Sequence, residues 1–143
     1  MFYEYMLKAE KREYIEGDDH QLRFIDSYLL VDEADNIMKY EFPVLKKLLL
    51  QGREFGIGVI LASQYLSHFK TKSENYIEPL LTWFIHRVPN ATAQQLESIG
   101  LSLNKHGQTT ANKISDLKVH ECLCKTLNVE GEFIKGKAFY ELE

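Results

Sequence analysis

Two adjacent carboxylates, Asp32 and Glu33, follow the apolar run SYLLV and could take part in catalysis or metal binding. A continuous apolar run of this length is typical of a strand buried on both faces of a parallel sheet. Open α/β sheets bind their ligands at the carboxyl ends of such strands. One carboxylate there could hold Mg²⁺ through water, while its neighbour polarises a water that attacks a γ-phosphate. The alternative is that both acids only stabilise the first turn of a following helix.

Two side chains downstream, Arg53 and Gln64, are consistent with nucleotide chemistry. The segment LLQGREFGIGVILASQ (49–64) predicts a helix that ends near Arg53, a glycine turn and a second buried strand. This strand would deliver Gln64 beside the acidic pair, where its amide could sense a γ-phosphate or the attacking water. Arg53 precedes the strand, so we expect it to face outward, towards a neighbouring subunit. Taken singly, Gln64 could also be an ordinary polar residue at a strand end, and Arg53 a surface helix cap.

Together these segments resemble the HerA/FtsK group of P-loop ATPases, which includes the conjugative coupling proteins and the type IV secretion ATPases. In that group a Walker B strand ending in Asp-Glu is followed, after a helix, by a GR-x-x-G-hydrophobic turn and a strand ending in Ser/Thr-Gln. LLVDEADNI (29–37) and LLQGREFGIGVILASQ match that order, and TWFIHRVPNATAQQLESIGLS (82–102) is similar to the group's next segment. The resemblance covers residues 24–125. Within the group, the nearest likeness is the ATPase of phosphorothioation-dependent restriction systems.

The resemblance implies a role for each of the polar residues. Asp32 would be the Walker B acid that binds Mg²⁺ through water, and Glu33 would be the catalytic base. Gln64 would be the sensor glutamine, and Arg53 a candidate arginine finger for the neighbouring subunit's nucleotide. The intact protein would be a cytoplasmic homo-oligomeric ring, expected to be a hexamer, that hydrolyses ATP with Mg²⁺ and moves or remodels DNA.

An ATPase of this kind needs a Gly-rich phosphate loop before the Walker B strand, because backbone N–H groups and a Lys must cradle the phosphates. No such motif precedes Asp32. GEFIKGKA (131–138) has the glycine and lysine spacing, but Ala138 replaces the Ser or Thr that would ligate Mg²⁺, and no helix pattern follows. We expect hairpin glycines there. The chain would then be the C-terminal part of the ATPase domain, with its phosphate-loop half upstream, and would be inactive alone.

Two other interpretations stay open. VDEAD (31–35) with LASQ (61–64) imitates the D-E-A-D and S-A-T motifs of DEAD-box helicases, but Gln64 stands where that family has Thr. The Arg-Gly-rich continuation that follows H-R in that family is also absent. The second alternative is a binding or assembly module that keeps the ATPase scaffold and has lost the chemistry.

The elements that must position these residues follow the order of an α/β protein. The prediction is a partial RecA-like P-loop NTPase sheet of parallel strands with helices, followed by a C-terminal β-hairpin. Strands are predicted at 27–31, 57–63 and 83–88, and the hairpin strands at 119–127 and 136–143. Helices are predicted in 1–14, 39–56, 73–82 and 91–100, and a short helix or turn in 109–117. One domain is expected over 1–143, comprising a helix and loop (1–21), the Walker B and sensor core (22–108) and the hairpin region (109–143).

The composition is that of an ordinary globular protein. The chain has 143 residues, of which 45% are apolar and 27% charged, so it can bury a core. Its net charge of −4 argues against a wholly basic nucleic-acid clamp but leaves room for a local basic surface. No apolar run suits a membrane span and no secretory signal is visible, so we expect a cytoplasmic protein without a membrane segment.

His120, Cys122 and Cys124 alternate in VHECLCKT and could present three metal ligands on one strand face. Structural zinc sites want four ligands, and no fourth is visible at a suitable spacing. We favour a half-buried strand in which cysteine acts as a small apolar residue, with metal binding as the alternative.

Overall fold

The structure is a computed structural model that describes residues 4, 6, 8–16, 23–40, 42–101, 107–137 and 141. The chain divides into two compact units, Met1–Pro79 and Leu80–Glu143. The first contains a two-stranded parallel sheet and the second a three-stranded antiparallel sheet, so the fold is mixed α/β. That the whole chain is one folding domain stays a prediction.

The first unit is built on two parallel strands, β1 (Ser27–Val31) and β2 (Ile57–Leu61). Both predicted strands are confirmed in position, although β2 ends two residues earlier than expected. The prediction that the first strand is buried on both faces is wrong, because its side chains alternate between partly buried and exposed. The connection contains a short helix α1 (Asp35–Met38), a longer helix α2 (Pro43–Gln51) and a 3₁₀ turn (Gly52–Phe55). As expected, proline occupies the first turn of α2, where its missing N–H has no intrahelical partner to lose.

One face of the parallel sheet carries the apolar core of this unit. Leu29 and Val59 pack against a cluster formed by Met6, Leu48 and Ile57, and α2 supplies Leu48 to it. The burial pattern of β1 alternates strictly, so every second side chain points away from this cluster. Three large apolar residues on the other face are 62%, 67% and 49% exposed: Tyr28, Leu30 and Ile60.

The predicted helix over 73–82 is wrong, because this segment forms bends and turns. The N–H of Tyr76 donates to the carbonyl of Phe69 at 2.8 Å, so it does not bond within a helix. Asn75 turns the chain locally, since its Oδ1 accepts the N–H of Ile77 at 3.1 Å. These bonds divert the backbone groups that a helix would need.

The N-terminal segment also differs from its prediction. Residues 4, 6 and 8 are helical, but residues 10–13 are not, and Tyr14 forms a bridge with Arg23. Met6 is buried, whereas residues 1–3, 5, 7 and 17–22 lie outside the described residues.

The second unit holds β3 (Trp83–Ile85), β4 (Glu121–Lys125) and β5 (Glu132–Lys135), in that order across the sheet. The prediction that 83–88 forms a third parallel strand is wrong, because β3 is only three residues long and pairs antiparallel with β4. A short apolar run predicts a buried strand but carries no information about its partner.

Two helices of this unit follow the sequence prediction. Helix α3 (Ala93–Ser98) begins with a capping box between Thr92 and Gln95, and the left-handed Gly100, at φ 76°, follows its end. Helix α4 (Gly107–Ser115) covers most of the predicted 109–117.

The terminal β-hairpin is confirmed, but its second strand is misplaced in the prediction. β5 is formed by EFIK (132–135), within the segment expected to be the connection. Of the strand predicted at 136–143, Gly136 and Lys137 are not in a strand, and residues 138–140, 142 and 143 lie outside the described residues. The tighter turn is possible because Gly131 adopts φ 115°, a region that side chains disfavour. Four of the eight residues in the near match to a phosphate loop, EFIK, therefore form a strand.

Within the part of the chain that the structure describes, every helix is too short or too polar to cross a membrane.

Candidate functional site

The acidic turn, Asp32 and Glu33, directly follows β1 and is exposed to solvent. Asp32 Oδ1 accepts the backbone N–H of Glu33 at 2.9 Å, and Glu33 Oε2 accepts a hydrogen bond from Asn36 Nδ2 at 3.2 Å. Glu33 has φ 47°, a left-handed conformation that is uncommon outside glycine and asparagine. Backbone strain of this kind concentrates at functional sites, so it motivates a functional hypothesis for Glu33.

Backbone hydrogen bonds join the acidic turn to the segment that follows β2. The N–H of Ala62 donates to the carbonyl of Val31 at 2.9 Å, and the N–H of Ala34 donates to the carbonyl of Ala62 at 2.8 Å. The two chains therefore continue side by side beyond the strands. Gln64 lies two residues farther along and is exposed. The structure thus brings Asp32, Glu33 and Gln64 to the same edge of the sheet, as the parallel arrangement requires.

Arg53 lies at the other end of β2. It is exposed in the 3₁₀ turn that precedes the strand, whereas the acidic turn lies beyond the strand's carboxyl end. Five residues of strand separate the two ends by roughly 17 Å at about 3.3 Å per residue. Arg53 is therefore not part of the cluster formed by the other three residues.

A polar cluster next to the acidic turn was missed from the sequence. Ser63 Oγ lies 2.8 Å from His68 Nδ1 and 3.5 Å from Asp35 Oδ1, and His68 Nδ1 lies 3.7 Å from Asp35 Oδ1. Asp35 belongs to the helicase-like spelling VDEAD, and no sequence motif contains His68. The available signal was that Asp35 and Ser63 follow strands predicted to be neighbours, which places two short polar side chains together.

Charged pairs elsewhere in the first unit fix the surroundings of the sheet. Lys46 on α2 forms a hydrogen-bonded ion pair with Glu74, which links the 71–79 region to that helix. The same hydrogen bond raises the pKa of Lys46. Lys11 lowers the pKa of Glu54 by hydrogen bonding to its carboxylate at 2.6 Å. Both pairs are at the surface, so their contribution to stability is small.

The acidic turn is chemically suited to Mg²⁺ bound with a nucleotide. Mg²⁺ usually takes one or two carboxylates and completes its shell with waters and substrate phosphates. Two exposed carboxylates at a strand end fit that pattern. Among the described residues no cluster of three or more His, Cys, Asp and Glu side chains could hold a metal alone.

The predicted strand around Cys122 and Cys124 is confirmed as β4, and both thiols are free. His120 precedes the strand with φ 66°, so it does not continue the alternating face of the two cysteines. Burial raises the pKa of the Cys122 thiol, followed by the effect of Cys124. A buried, protonated thiol behaves as an apolar strand residue.

In comparisons with known proteins, no family model matches this chain and no curated protein matches it.

Proposed function

We propose that this chain carries the Walker B and sensor elements of a RecA-like ATPase of the HerA/FtsK type. The observation that carries the proposal is the meeting of the acidic turn and the Gln64 segment at one edge of a parallel pair of strands. This is the edge at which α/β sheets bind ligands. The strained backbone of Glu33 adds independent support.

Each residue at this edge has a task that its chemistry allows. Asp32 would hold Mg²⁺ through water; the ion, when bound, neutralises the negative charge of the phosphates. Glu33 would accept a hydrogen bond from the attacking water and orient it. Gln64 would donate or accept a hydrogen bond at the γ-phosphate or at that water.

A packing partner for the first unit forms part of the proposal. Parallel sheets are normally covered on both faces, and an isolated pair of strands is marginal in water. Tyr28, Leu30 and Ile60 leave one face of this sheet apolar and exposed. The proposed partner is the phosphate-loop half of the same protein, which would lie upstream in the chain and would add strands and helices to this scaffold.

The position of Arg53 supports a further part of the proposal, a ring of identical subunits. At the far end of β2 it could reach only another protomer's phosphates. An arginine that acts between subunits makes hydrolysis at one site depend on the neighbouring subunit. In this group of ATPases, hydrolysis in such a ring would drive DNA movement or remodelling. A hexamer is the proposed assembly.

The experiment for the proposed function is reconstitution of ATP hydrolysis. The 143-residue chain alone should show no turnover, because its sequence contains no phosphate-loop motif to bind the triphosphate. Joined to the phosphate-loop half it should hydrolyse ATP, and Glu33→Gln should remove that activity while the exposed control Glu97→Gln keeps it. Turnover by the chain alone that depends on Glu33 would refute the divided arrangement. ATP binding without turnover in the joined protein would instead support an assembly module.

Mixing two inactive variants tests the role of Arg53. If Arg53 acts across an interface, Arg53→Ala protomers mixed with Glu33→Gln protomers should recover activity at some sites, because an intact Glu33 then faces an intact Arg53. No recovery in mixed rings would refute the action of Arg53 across the interface.

A further inference from the structure

Three polar side chains form a triangle immediately beside the proposed nucleotide site. Ser63 adjoins Gln64 in the chain, and Asp35 follows the acidic turn by two residues. His68 bridges them, since its Nδ1 lies 2.8 Å from Ser63 Oγ and 3.7 Å from Asp35 Oδ1. All three are partly buried, which strengthens a hydrogen bond relative to one in open water.

The shortest contact in this triangle is the 2.8 Å hydrogen bond between Ser63 Oγ and His68 Nδ1. Its direction follows the imidazole tautomer: a protonated Nδ1 donates to Ser63 Oγ, and a bare Nδ1 accepts the proton of the Ser63 hydroxyl. The contact from Ser63 Oγ to Asp35 Oδ1, at 3.5 Å, is long for a hydrogen bond between oxygens. In either tautomer the bond at Nδ1 joins the segment that follows β2 to the turn that contains His68.

This arrangement differs from a catalytic Ser-His-Asp triad. In a triad the serine and the carboxylate use different nitrogens of the imidazole. Here both contacts fall on Nδ1, so the ring does not connect the carboxylate to the hydroxyl through its two nitrogens. The triangle is therefore suited to holding two segments together.

The backbone around His68 presents the ring to the other two residues. The N–H of His68 donates to the carbonyl of Tyr65 at 3.1 Å, which closes the 3₁₀ turn Leu66–Phe69. The Tyr65 ring meets the imidazole edge to face at 5.2 Å between centroids. Helix α1 packs beside this turn, and buried Phe69 anchors the end of the turn.

We propose that His68 is a positioning residue, which acts through Ser63 and Asp35 to hold Gln64 against the acidic turn. The inference rests on the proposed function, because it assigns the three residues to the placement of the sensor glutamine. Its consequence is that the polar relay, defined as His68, Ser63 and Asp35, affects the catalytic step more than nucleotide binding.

A matched pair of variants separates the hydrogen bond at Nδ1 from other properties of histidine. His68→Asn can place an amide N–H near the position of Nδ1, whereas His68→Gln places its amide near the position of Nε2. The first should preserve the relay and the second should lose it. Ser63→Ala provides an independent break in the same relay.

The first test is amide hydrogen exchange, measured by nuclear magnetic resonance on the chain without nucleotide. The amide of Ala34, which bonds to the carbonyl of Ala62 and so joins the two segments, should exchange about fivefold faster in His68→Gln and in Ser63→Ala. It should be unchanged in His68→Asn, and the Leu101 amide should be unchanged in all variants. Equal exchange in the Asn and Gln variants would refute the relay whatever the ATPase does.

The second stage measures ATP hydrolysis in the protein joined to its phosphate-loop half. His68→Gln should lower kcat about tenfold with little change in KM, and His68→Asn should restore most of kcat. Glu33-dependent turnover with an unchanged kcat in His68→Gln would overturn the positioning role and leave the proposed function intact. No Glu33-dependent turnover would overturn the proposed function and this role together, while the exchange data would still report on the relay.

Discussion

The backbone of Glu33 allows a test of strain at the acidic turn that needs no nucleotide. A non-glycine residue in the left-handed region costs about 1–2 kcal/mol, and glycine avoids this cost. Relative to alanine, glycine also lowers the free energy of unfolding by about 0.5–1 kcal/mol, because it gives the unfolded chain more conformational freedom. Both Glu33→Gly and Glu33→Ala remove the hydrogen bond to Asn36, so their difference isolates the backbone. We expect the Gly variant to be more stable than the Ala variant by about 0.5–1 kcal/mol.

Asp32 provides the control, because it is exposed, adjacent and outside the left-handed region. There the order should reverse, with Asp32→Gly less stable than Asp32→Ala by about 0.5–1 kcal/mol. Urea unfolding followed by circular dichroism measures the free energies, and amide exchange in β1 assigns the change to the first unit. Equal stability of the Gly and Ala variants at position 33, or the same order at both positions, would refute the claim of strain.

Three further predictions concern the hairpin, acid stability and thiol reactivity. Gly131→Ala should destabilise the second unit by about 1–3 kcal/mol in urea unfolding, because Gly131 has φ 115°, whereas Gly136→Ala should cost less than half as much. The pKa of Glu54 is lowered in the folded state by Lys11, so its stabilisation is present above the unfolded pKa and is lost as pH falls through the folded value. Lys11→Gln should therefore reduce the acid dependence of unfolding. The Cys122 thiol should react with a maleimide at least tenfold more slowly than an exposed cysteine at pH 7.5, since burial raises its pKa.

Much of the first unit could be predicted because its signals are local. The apolar runs of β1 and β2, the proline of α2 and the glycine turn before β2 each reflect an intrinsic preference of the chain. The partner of β3 is decided by residues 38 to 42 positions away, which the periodicity of WFI does not record. The segment 73–82 does not form the predicted helix, because Tyr76 hydrogen bonds to the neighbouring turn instead. This tertiary contact overrides the helix propensity of the segment.

The candidate site divides in the same way. Asp32 and Gln64 could be placed at one edge from the rule that parallel strands end together. The left-handed backbone of Glu33 and the part played by His68 depend on how two turns pack. No spacing in the sequence encodes that packing, because His68 lies in a single 3₁₀ turn that is too short to show a periodic pattern.

The most direct test of the central claim is the rate of Mg²⁺-dependent ATP hydrolysis by this chain joined to its phosphate-loop half, measured for the wild type and for Glu33→Gln. If Glu33 polarises the attacking water, the variant should retain ATP binding and lose turnover by about 10²–10⁴-fold. Equal turnover in the two proteins, or a wild-type protein that binds ATP without hydrolysing it, would contradict the assignment of the acidic turn as the site of nucleotide hydrolysis.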